Sequence, residues 1–296
     1  MRPTISVIIP VFEQWDLLPT CLNALMAQDF PLDRFEVIVV NNGPRDHVSI
    51  EPFEPLNLKV VHETEPGSYA ARNCGIRHAH ANILAFTDAD CVPVTGWLRA
   101  VYGTLDDPAV ARVCGPVEDQ LPPDLDPIIK EYQHVLRYDT RSWAEKGWSI
   151  TGNMASRRKV FDDIGLFDHT LKSGGDRYWG TRAQEAGHPI RYNEAMEIGH
   201  KVRIGYDEIE TRIRRIVHGN FDVFKRTNKR NGATRMYRRL KRRAWRPPLK
   251  YLFRGNLSTP LGLKDRVRYV GFRWRLQKAM YAAAKNFYAG GEGERR

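Results

Sequence analysis

Short runs of apolar residues, rich in β-branched side chains, punctuate the first ninety residues of this chain. They cover residues 5–10, 37–40, 58–61, where Lys59 interrupts the run, and 83–87. Leu18, Leu22 and Leu25 recur at helical spacing between the first two runs, and residues 70–79 are predicted to form a small-residue helix. Strands that are apolar throughout are covered on both faces, as in parallel sheets joined by helical crossovers. The sequence therefore predicts an α/β fold in which helices flank a mostly parallel sheet.

The pattern becomes less regular after residue 90. It predicts a helix over residues 97–105, a strand over 111–117 and a helical, aromatic-bearing stretch over 128–143. Two longer amphipathic helices are predicted over residues 207–231 and 264–288.

The charge of the chain is divided unevenly. The formal net charge is +11, but residues 1–200 contain 19 Lys and Arg against 28 Asp and Glu, whereas residues 201–296 contain 27 against 7. We expect a globular domain over residues 1–206 and a basic, mainly helical extension over residues 207–296. Such a basic region indicates an anionic partner, either nucleic acid or lipid headgroups.

The four cysteines form no C-x-x-C pair and show no metal-type spacing; they are Cys21, Cys74, Cys91 and Cys114. We expect buried thiols in the reducing cytosol. No uncharged apolar stretch approaches the roughly 18 residues that a membrane span requires. The chain is therefore expected to be cytoplasmic and without a spanning segment.

Two carboxylates, Asp88 and Asp90, directly follow the fourth apolar run. On an extended segment alternate side chains share a face, so both carboxylates are predicted to project to the same side. Ligands of open parallel sheets bind beyond the carboxyl ends of the strands. Hard oxygen ligands at that edge suit a Mg²⁺ or Mn²⁺ ion that in turn holds phosphates. An isolated D-x-D is more often an acidic turn, but the motifs around this one favour a metal site.

Five further segments accompany these carboxylates in a fixed order. They are Pro10-Val11-Phe12-Glu13, Asn41-Asn42-Gly43, Pro66-Gly67-Ser68-Tyr69-Ala70-Ala71-Arg72-Asn73-Cys74-Gly75, Gly174-Gly175-Asp176 and Gly199-His200. Together with D-A-D they resemble the family 2 glycosyltransferases of the GT-A fold, over about residues 3–205. The resemblance implies a metal-dependent, inverting transfer of a sugar from a nucleoside diphosphate to an acceptor hydroxyl. Envelope polysaccharide, glycolipid or other glycan synthesis is the implied context, with a glycan or lipid-linked acceptor.

The resemblance also implies roles for individual residues. The residues expected to contact the nucleotide sugar are Pro10, Glu13, Asn41, Asn42, Arg72, Asn73 and Asp88. Arg72 is expected to pair either with the diphosphate or with a nearby carboxylate, and Asn73 to fix its loop. Asp90 and His200 are the expected ligands of the divalent metal, Mg or Mn. Many relatives are acidic at the end of the second strand, where this chain has Asn, so the identity of the base stays open.

Asp176 is the predicted general base. Sugar transfer requires an acceptor hydroxyl to lose its proton as it attacks an oxocarbenium-like carbon, and a carboxylate within hydrogen-bond reach suits that task. Many relatives carry Glu-Asp here, whereas Gly175 precedes Asp176, so a supporting carboxylate is missing. A helix N-cap is the alternative role, because residues 178–186 look helical. Among the nearby aromatic residues, Trp179 is predicted to face the acceptor.

The basic carboxy-terminal region favours peripheral attachment to the cytoplasmic face of an anionic membrane. Its cations include Arg235, Arg238, Arg239, Lys241, Arg242, Arg243 and Arg246. Basic amphipathic helices lie in membrane interfaces, and Val267, Val270 and Trp274 are predicted to form the apolar side. Nucleic-acid binding would use the same electrostatics, and a solvated charged face is a third interpretation.

Two other functional classes stay open. A sugar-phosphate nucleotidylyltransferase also joins an α/β nucleotide fold to acidic metal ligands, but a Gly-rich, Arg/Lys-bearing loop would follow its first strand. A non-catalytic protein on a degenerate glycosyltransferase fold, binding nucleic acid or an anionic surface, would leave the ordered acidic motifs unexplained.

Overall fold

A computed structural model describes residues 3–44, 53–202, 205–253 and 257–291. Its strands are β1 Ile5–Val11, β2 Phe35–Asn41, β3 Leu58–His62, β4 Ile83–Thr87, β5 Cys91–Pro93, β6 Arg112–Cys114, β7 Val117–Gln120, β8 Asn153–Arg157, β9 Ile190–Tyr192 and β10 Ile198–Lys201. Its α-helices are α1 Leu18–Met26, α2 Ser68–His78, α3 Trp97–Asp106, α4 Pro127–Leu136, α5 Thr140–Glu145, α6 Arg158–Ile164, α7 Gly175–Glu185, α8 Tyr206–Arg226, α9 Arg230–Ala244 and α10 Leu263–Tyr288.

The main sheet has seven strands in the order β3-β2-β1-β4-β8-β6-β9. Strand β1 pairs in parallel with β2 and β4, β2 pairs in parallel with β3, and β6 pairs in parallel with β9. Strand β8 is antiparallel to both β4 and β6. Strands β1, β2 and β4 are almost wholly buried, as expected for strands covered on both faces. The predicted α/β class with a mostly parallel sheet is confirmed.

A second, three-stranded sheet has the order β5-β10-β7. Strand β10 is antiparallel to β5 and parallel to β7, so that His200 lies opposite Cys91 on one side and Asp119 on the other. This register brings His200, from late in the chain, beside the residue that follows Asp90.

Two of the predicted elements differ from the structure. The stretch 111–117 is not one strand but two, β6 and β7, which belong to different sheets and are separated by Gly115 and Pro116. A Cβ atom on Gly115 would lie 1.9 Å from the carbonyl oxygen of Met196, so the backbone there passes too close to its neighbour to hold a side chain. The helical stretch 128–143 is likewise interrupted, between α4 and α5.

The chain divides into two compact units. The α/β unit contains residues 1–120, 138–170 and 175–201, and the helical unit contains residues 121–137, 171–174 and 202–296. The sequence predicts a single boundary at residue 206, with each domain formed by one continuous segment, and this division into domains stays a prediction. Within the helical unit, the Glu131 carboxylate accepts hydrogen bonds from the backbone N–H groups of Ser258 and Thr259, at 3.1 and 2.6 Å. Among the described residues, no helix is both long and apolar enough to cross a membrane.

Helix α2 lies very close to the main sheet at Gly75. A Cβ atom at this position would be 2.4 Å from Cγ2 of Ile8 on β1 and 3.2 Å from Cγ2 of Val40 on β2. Both neighbours are completely buried, so they have little room to move. Gly103, in the middle of α3, has no atom within 4 Å of the equivalent position.

This contrast predicts opposite effects of the same substitution. Gly103→Ala should raise the free energy of unfolding by about 0.5–1 kcal/mol, because alanine has the higher helix propensity. Gly75→Ala should lower it by about 1–3 kcal/mol, because overpacking outweighs that gain. Urea unfolding of both variants measures the difference, and equal stabilisation of both would contradict the close approach of α2.

Candidate active site

The segment Asp88-Ala89-Asp90 forms a turn between β4 and β5. The backbone N–H of Cys91 donates to the carbonyl of Asp88 at 3.0 Å, which closes the turn. The prediction of an extended segment at these residues is therefore wrong. The turn directs Asp88 towards Arg72 and Asp90 towards Gln14 and His200.

Asp88 is held by a buried arginine. The Arg72 guanidinium on α2 forms an ion pair with Oδ1 of Asp88 and is almost inaccessible, whereas 35% of the Asp88 side chain is exposed. Oδ2 of Asp88 lies beside Gly152, where a Cβ atom would be 3.2 Å away. Of the two roles predicted for Arg72, the structure shows the pairing with a carboxylate. Asp88 thus presents a positioned, partly exposed carboxylate.

Asp90 and His200 face each other across a short gap. Oδ2 of Asp90 is 4.0 Å from Nε2 of His200, and the Gln14 side-chain amide donates to the same oxygen at 2.7 Å. On the other side of the imidazole ring, Nδ1 of His200 is 2.9 Å from Oδ1 of Asp119. Asp119 thus contacts one ring nitrogen of His200, and the other nitrogen lies on the side of Asp90.

Asp176 lies in the first turn of α7 in a largely desolvated position. Its Oδ1 accepts hydrogen bonds from the backbone N–H of Arg177 at 2.8 Å and from the Tyr69 hydroxyl at 3.3 Å. The backbone of Thr151 and the charge of Arg72 also stabilise the carboxylate. Burial is the strongest influence, and it raises the pKa of Asp176 above the ordinary value for aspartate. A carboxylate with a raised pKa is a stronger base once it is ionised.

The three predicted asparagines hold loops together. Asn73 makes two hydrogen bonds to the backbone of Phe167, so its predicted loop-fixing role is present and its amide is used internally. Asn41 is only 3% exposed and accepts from the backbone N–H of Gly43. Asn42 donates to the carbonyls of Glu63 and Glu65 and accepts from the N–H of Gly67. Asn41 and Asn73 are almost wholly buried, and their predicted contact with a nucleotide stays a prediction.

The structure also contradicts the prediction that Trp179 faces an acceptor. Its side chain is 0% exposed, stacks on Phe161 with ring centroids 4.4 Å apart, and donates from Nε1 to the carbonyl of Gly165. Trp179 is a core residue that packs α7 against its neighbours. Partly exposed aromatic surface is found instead at Trp143 and Trp148, whose rings stack 4.9 Å apart.

The remaining predicted donor residues lie at the end of β1. Pro10 is half-buried within the strand, and Glu13 is exposed in the loop that follows it. Gln14, the next residue, brings this loop into contact with Asp90. The ends of β1 and β4 therefore meet at one edge, as expected for adjacent parallel strands.

Three residues at the site have no role predicted from the sequence: Gln14, Tyr69 and Asp119. Each is separated from its partner by more than 70 positions, so no local pattern links the pair. Gln14 follows a motif segment and Tyr69 lies within one, a signal that marks both for inspection. Asp119 carries no such signal before the pairing of β7 with β10 is known.

The sequence profile of glycosyl transferase family 2 matches residues 6–165, more than half of the chain. The chain belongs to this family. It is 36% identical over 196 residues to the glycosyltransferase AglE of Haloferax volcanii, which is 64% of each chain. It is 29% identical over 214 residues to the pre-mycofactocin glycosyltransferase of Mycobacterium tuberculosis, covering 67% of this chain and 43% of the relative. The matches thus span less than two thirds of these curated relatives.

Solved structures share the fold. The mannosyltransferase PcManGT of Pyrobaculum calidifontis, in complex with GDP-Man and Mn²⁺, matches 99% of this chain and 77% of its own, with a TM-score of 0.57 and 21% identity. Residues 1–349 of TarS from S. aureus, in complex with UDP-GlcNAc, match 98% of this chain and 93% of their own, with a TM-score of 0.54 and 16% identity. The predicted GT-A fold is confirmed by these neighbours.

Proposed function

We propose that this protein is a metal-dependent, inverting glycosyltransferase that moves a sugar from a nucleoside diphosphate to an acceptor hydroxyl. The observation that carries the proposal is the separation of three carboxylates into distinct surroundings. Asp88 is paired with a cation, Asp90 faces a histidine, and Asp176 is desolvated and stabilised mainly by hydrogen bonds. Carboxylates in different surroundings are suited to different tasks in one reaction.

The side chains at Asp90 fit a divalent cation whose coordination shell is completed by the substrate. Within the described ranges, no group of three or more His, Cys, Asp and Glu side chains is arranged to enclose a metal. Two side chains suited to bind a metal nevertheless face each other, with Oδ2 of Asp90 4.0 Å from Nε2 of His200. Asp119 contacts the other nitrogen of the histidine ring. A carboxylate behind a histidine is typical of metal-binding histidines. Mg²⁺ commonly takes one or two protein ligands and fills its shell with phosphate oxygens and water.

The remaining chemistry falls to residues of the chain. A bound divalent cation would stabilise the negative charge of the departing diphosphate. Asp176 would accept the proton of the acceptor hydroxyl while that oxygen bonds to the anomeric carbon. The bond from that carbon to the diphosphate breaks, and its electron pair leaves with the nucleoside diphosphate. A single displacement of this kind inverts the anomeric centre.

The substrates are proposed by class. The neighbouring structures contain GDP-Man or UDP-GlcNAc, which supports a nucleoside-diphosphate sugar as the donor. Glu13, exposed beside the Gln14–Asp90 contact, is the residue that we propose for the nucleoside. The partly exposed Trp143–Trp148 pair is the aromatic surface that we propose for the acceptor. Aromatic faces suit the apolar face of a sugar ring, so a glycan or lipid-linked sugar is the favoured acceptor.

Donor binding should require the cation, and Asp90→Ala should abolish the metal-dependent part. We expect thermal stabilisation of the wild type by UDP or GDP only with Mn²⁺ or Mg²⁺, since a ligand that binds the native state raises its stability. Asp107→Ala is the matched control, because Asp107 is an exposed aspartate paired with Arg191. Equal nucleotide affinity with and without a chelator would contradict the metal proposal.

Asp176→Asn should bind the donor normally and transfer the sugar poorly. General bases typically contribute about 10²- to 10⁴-fold in rate. The raised pKa of Asp176 adds a pH dependence: turnover should increase as the pH rises through that pKa, because only the ionised form accepts a proton. Single-turnover kinetics with saturating donor measure this, and wild-type turnover in the variant would assign the base to another residue.

We further propose that the helical unit attaches the enzyme to an anionic membrane surface. Among the described residues, the five most exposed large apolar side chains all lie between positions 245 and 267; they are Trp245, Leu249, Phe253, Leu263 and Val267. Exposed Arg and Lys residues are interspersed with them. Trp and Phe beside basic residues are typical of segments that lie in a membrane interface.

The apolar side predicted from the sequence is partly wrong. Val270 is buried in the core of the helical unit, and Trp274 donates from Nε1 to the carbonyl of Ala244. Their places on the proposed membrane surface are taken by Trp245 and Phe253.

Sedimentation with vesicles separates the electrostatic and apolar contributions. Wild-type protein should bind phosphatidylglycerol-containing vesicles more tightly than pure phosphatidylcholine, and high salt should weaken binding, since each basic residue contributes around 1 kcal/mol near an anionic surface. The double variant Trp245→Ser, Phe253→Ser should lose the salt-resistant part, whereas Val60→Ser, at an exposed position on β3, should not. Binding to nucleic acid but not to vesicles would contradict the membrane proposal.

A further inference from the structure

Tyr69 connects helix α2 to the start of α7. Its hydroxyl oxygen accepts a hydrogen bond from the backbone N–H of Gly175 at 2.9 Å and donates to Oδ1 of Asp176 at 3.3 Å. One hydroxyl group thus uses both its acceptor and its donor capacity on two consecutive residues. The side chain is buried and packs beside Phe167, with ring centroids 5.9 Å apart.

The ring of Tyr69 occupies the space that a side chain at position 175 would need. A Cβ atom on Gly175 would lie 2.7 Å from Cε2 of Tyr69 and within 2.9 Å of two further ring atoms. Gly175 has an ordinary backbone conformation, unlike Gly174 with its φ of +76°. Glycine at 175 is therefore explained by space and not by backbone conformation. Tyr69 and Gly175 form a complementary pair in which one residue's bulk requires the other's absence of a side chain.

We infer that Tyr69 is the positioning residue of the active-site carboxylate at Asp176, and that it supplies the support that a side chain at position 175 cannot give. The inference rests on the proposed role of Asp176 as the base. Tyr69 acts through Asp176 and contacts no reacting atom, because its hydroxyl is occupied by Gly175 and Asp176. Its place on α2, three residues before Arg72, links the support of the base to the support of Asp88.

The groups that face Asp176 make the expected effect specific. Tyr69 and Arg72 approach from α2, and the backbone groups of Thr151 and Arg177 approach from the β8 side and from α7. All four stabilise the ionised carboxylate, while burial opposes ionisation. Burial also raises the pKa of the Tyr69 phenol, which keeps it protonated and able to donate. Loss of this one donor should raise the pKa of Asp176 further.

Tyr69→Phe removes the hydroxyl and keeps the ring. We expect turnover to fall about tenfold, because the Asp176 carboxylate loses the contact that fixes its position, with unchanged donor affinity. The acid limb of the pH–turnover profile should move to higher pH, an effect that a purely structural role would not produce. Tyr102→Phe is the matched control, because Tyr102 packs on Phe30 in the same unit, away from these carboxylates. Wild-type turnover and an unmoved pH profile in Tyr69→Phe would overturn the inference.

A double-mutant cycle tests the complementary pair. Gly175→Ala should lower turnover in the wild type, because its methyl group displaces the Tyr69 ring. In the Tyr69→Ala background the same substitution should cost little more, and the two effects should therefore be far from additive. Strict additivity would overturn the pairing. Thermal unfolding of each variant, with Tyr69→Phe as the mildest change, separates misfolding from misplacement of Asp176.

The outcomes also separate this inference from the proposed function. In the Asp176→Asn background, Tyr69→Phe should have no further effect on turnover, because the group that it positions has been removed. An inactive Asp176→Asn with a fully active Tyr69→Phe would overturn the inference alone. A fully active Asp176→Asn would instead overturn the assignment of the base.

Discussion

The geometry of the site depends on how closely helix α2 lies against the first two strands. At Gly75 the helix backbone is so near Ile8 that even a methyl group would not fit. From this position on the sheet, α2 places Tyr69 against the start of α7 and Arg72 against Asp88. It also places Asn73 against the backbone of Phe167. A small shift of this one helix would move all three contacts together. Close packing of interiors makes such a shift costly.

Charge at the site is managed by giving each carboxylate a different neighbour. The guanidinium of Arg72 neutralises Asp88, whereas Asp90 meets a neutral amide and an imidazole. Asp176 receives mainly hydrogen bonds, and burial raises its pKa. The turn at residues 88–91 gives Asp88 and Asp90 different partners.

Local patterns in the sequence were enough for the main strands, most helices and the family resemblance, since buried runs and helical spacing are written in neighbouring residues. The environment of each side chain was not predictable in the same way. In the sequence, Trp179 lies close to Asp176, which makes it a candidate for the acceptor side. In the structure its ring packs against Phe161 in the core, a contact that no local pattern predicts. Asp119 is similar: nothing around it in sequence distinguishes it from other surface acids, and only the register of β7 with β10 places it behind His200.

The helical unit is built from stretches that are not consecutive in the chain. Helix α4, which leaves the α/β unit after residue 120, packs its Tyr132 ring edge-on against Phe272 of α10, with centroids 5.2 Å apart. A gene shortened after codon 206 would still encode α4 but would leave its apolar face without cover. Loss of the carboxy-terminal helices would therefore expose the apolar face of a helix that is encoded far upstream of them. Recombination that preserved the unit would have to carry the segment around residues 121–137 along with them, which ties the evolution of the two stretches together.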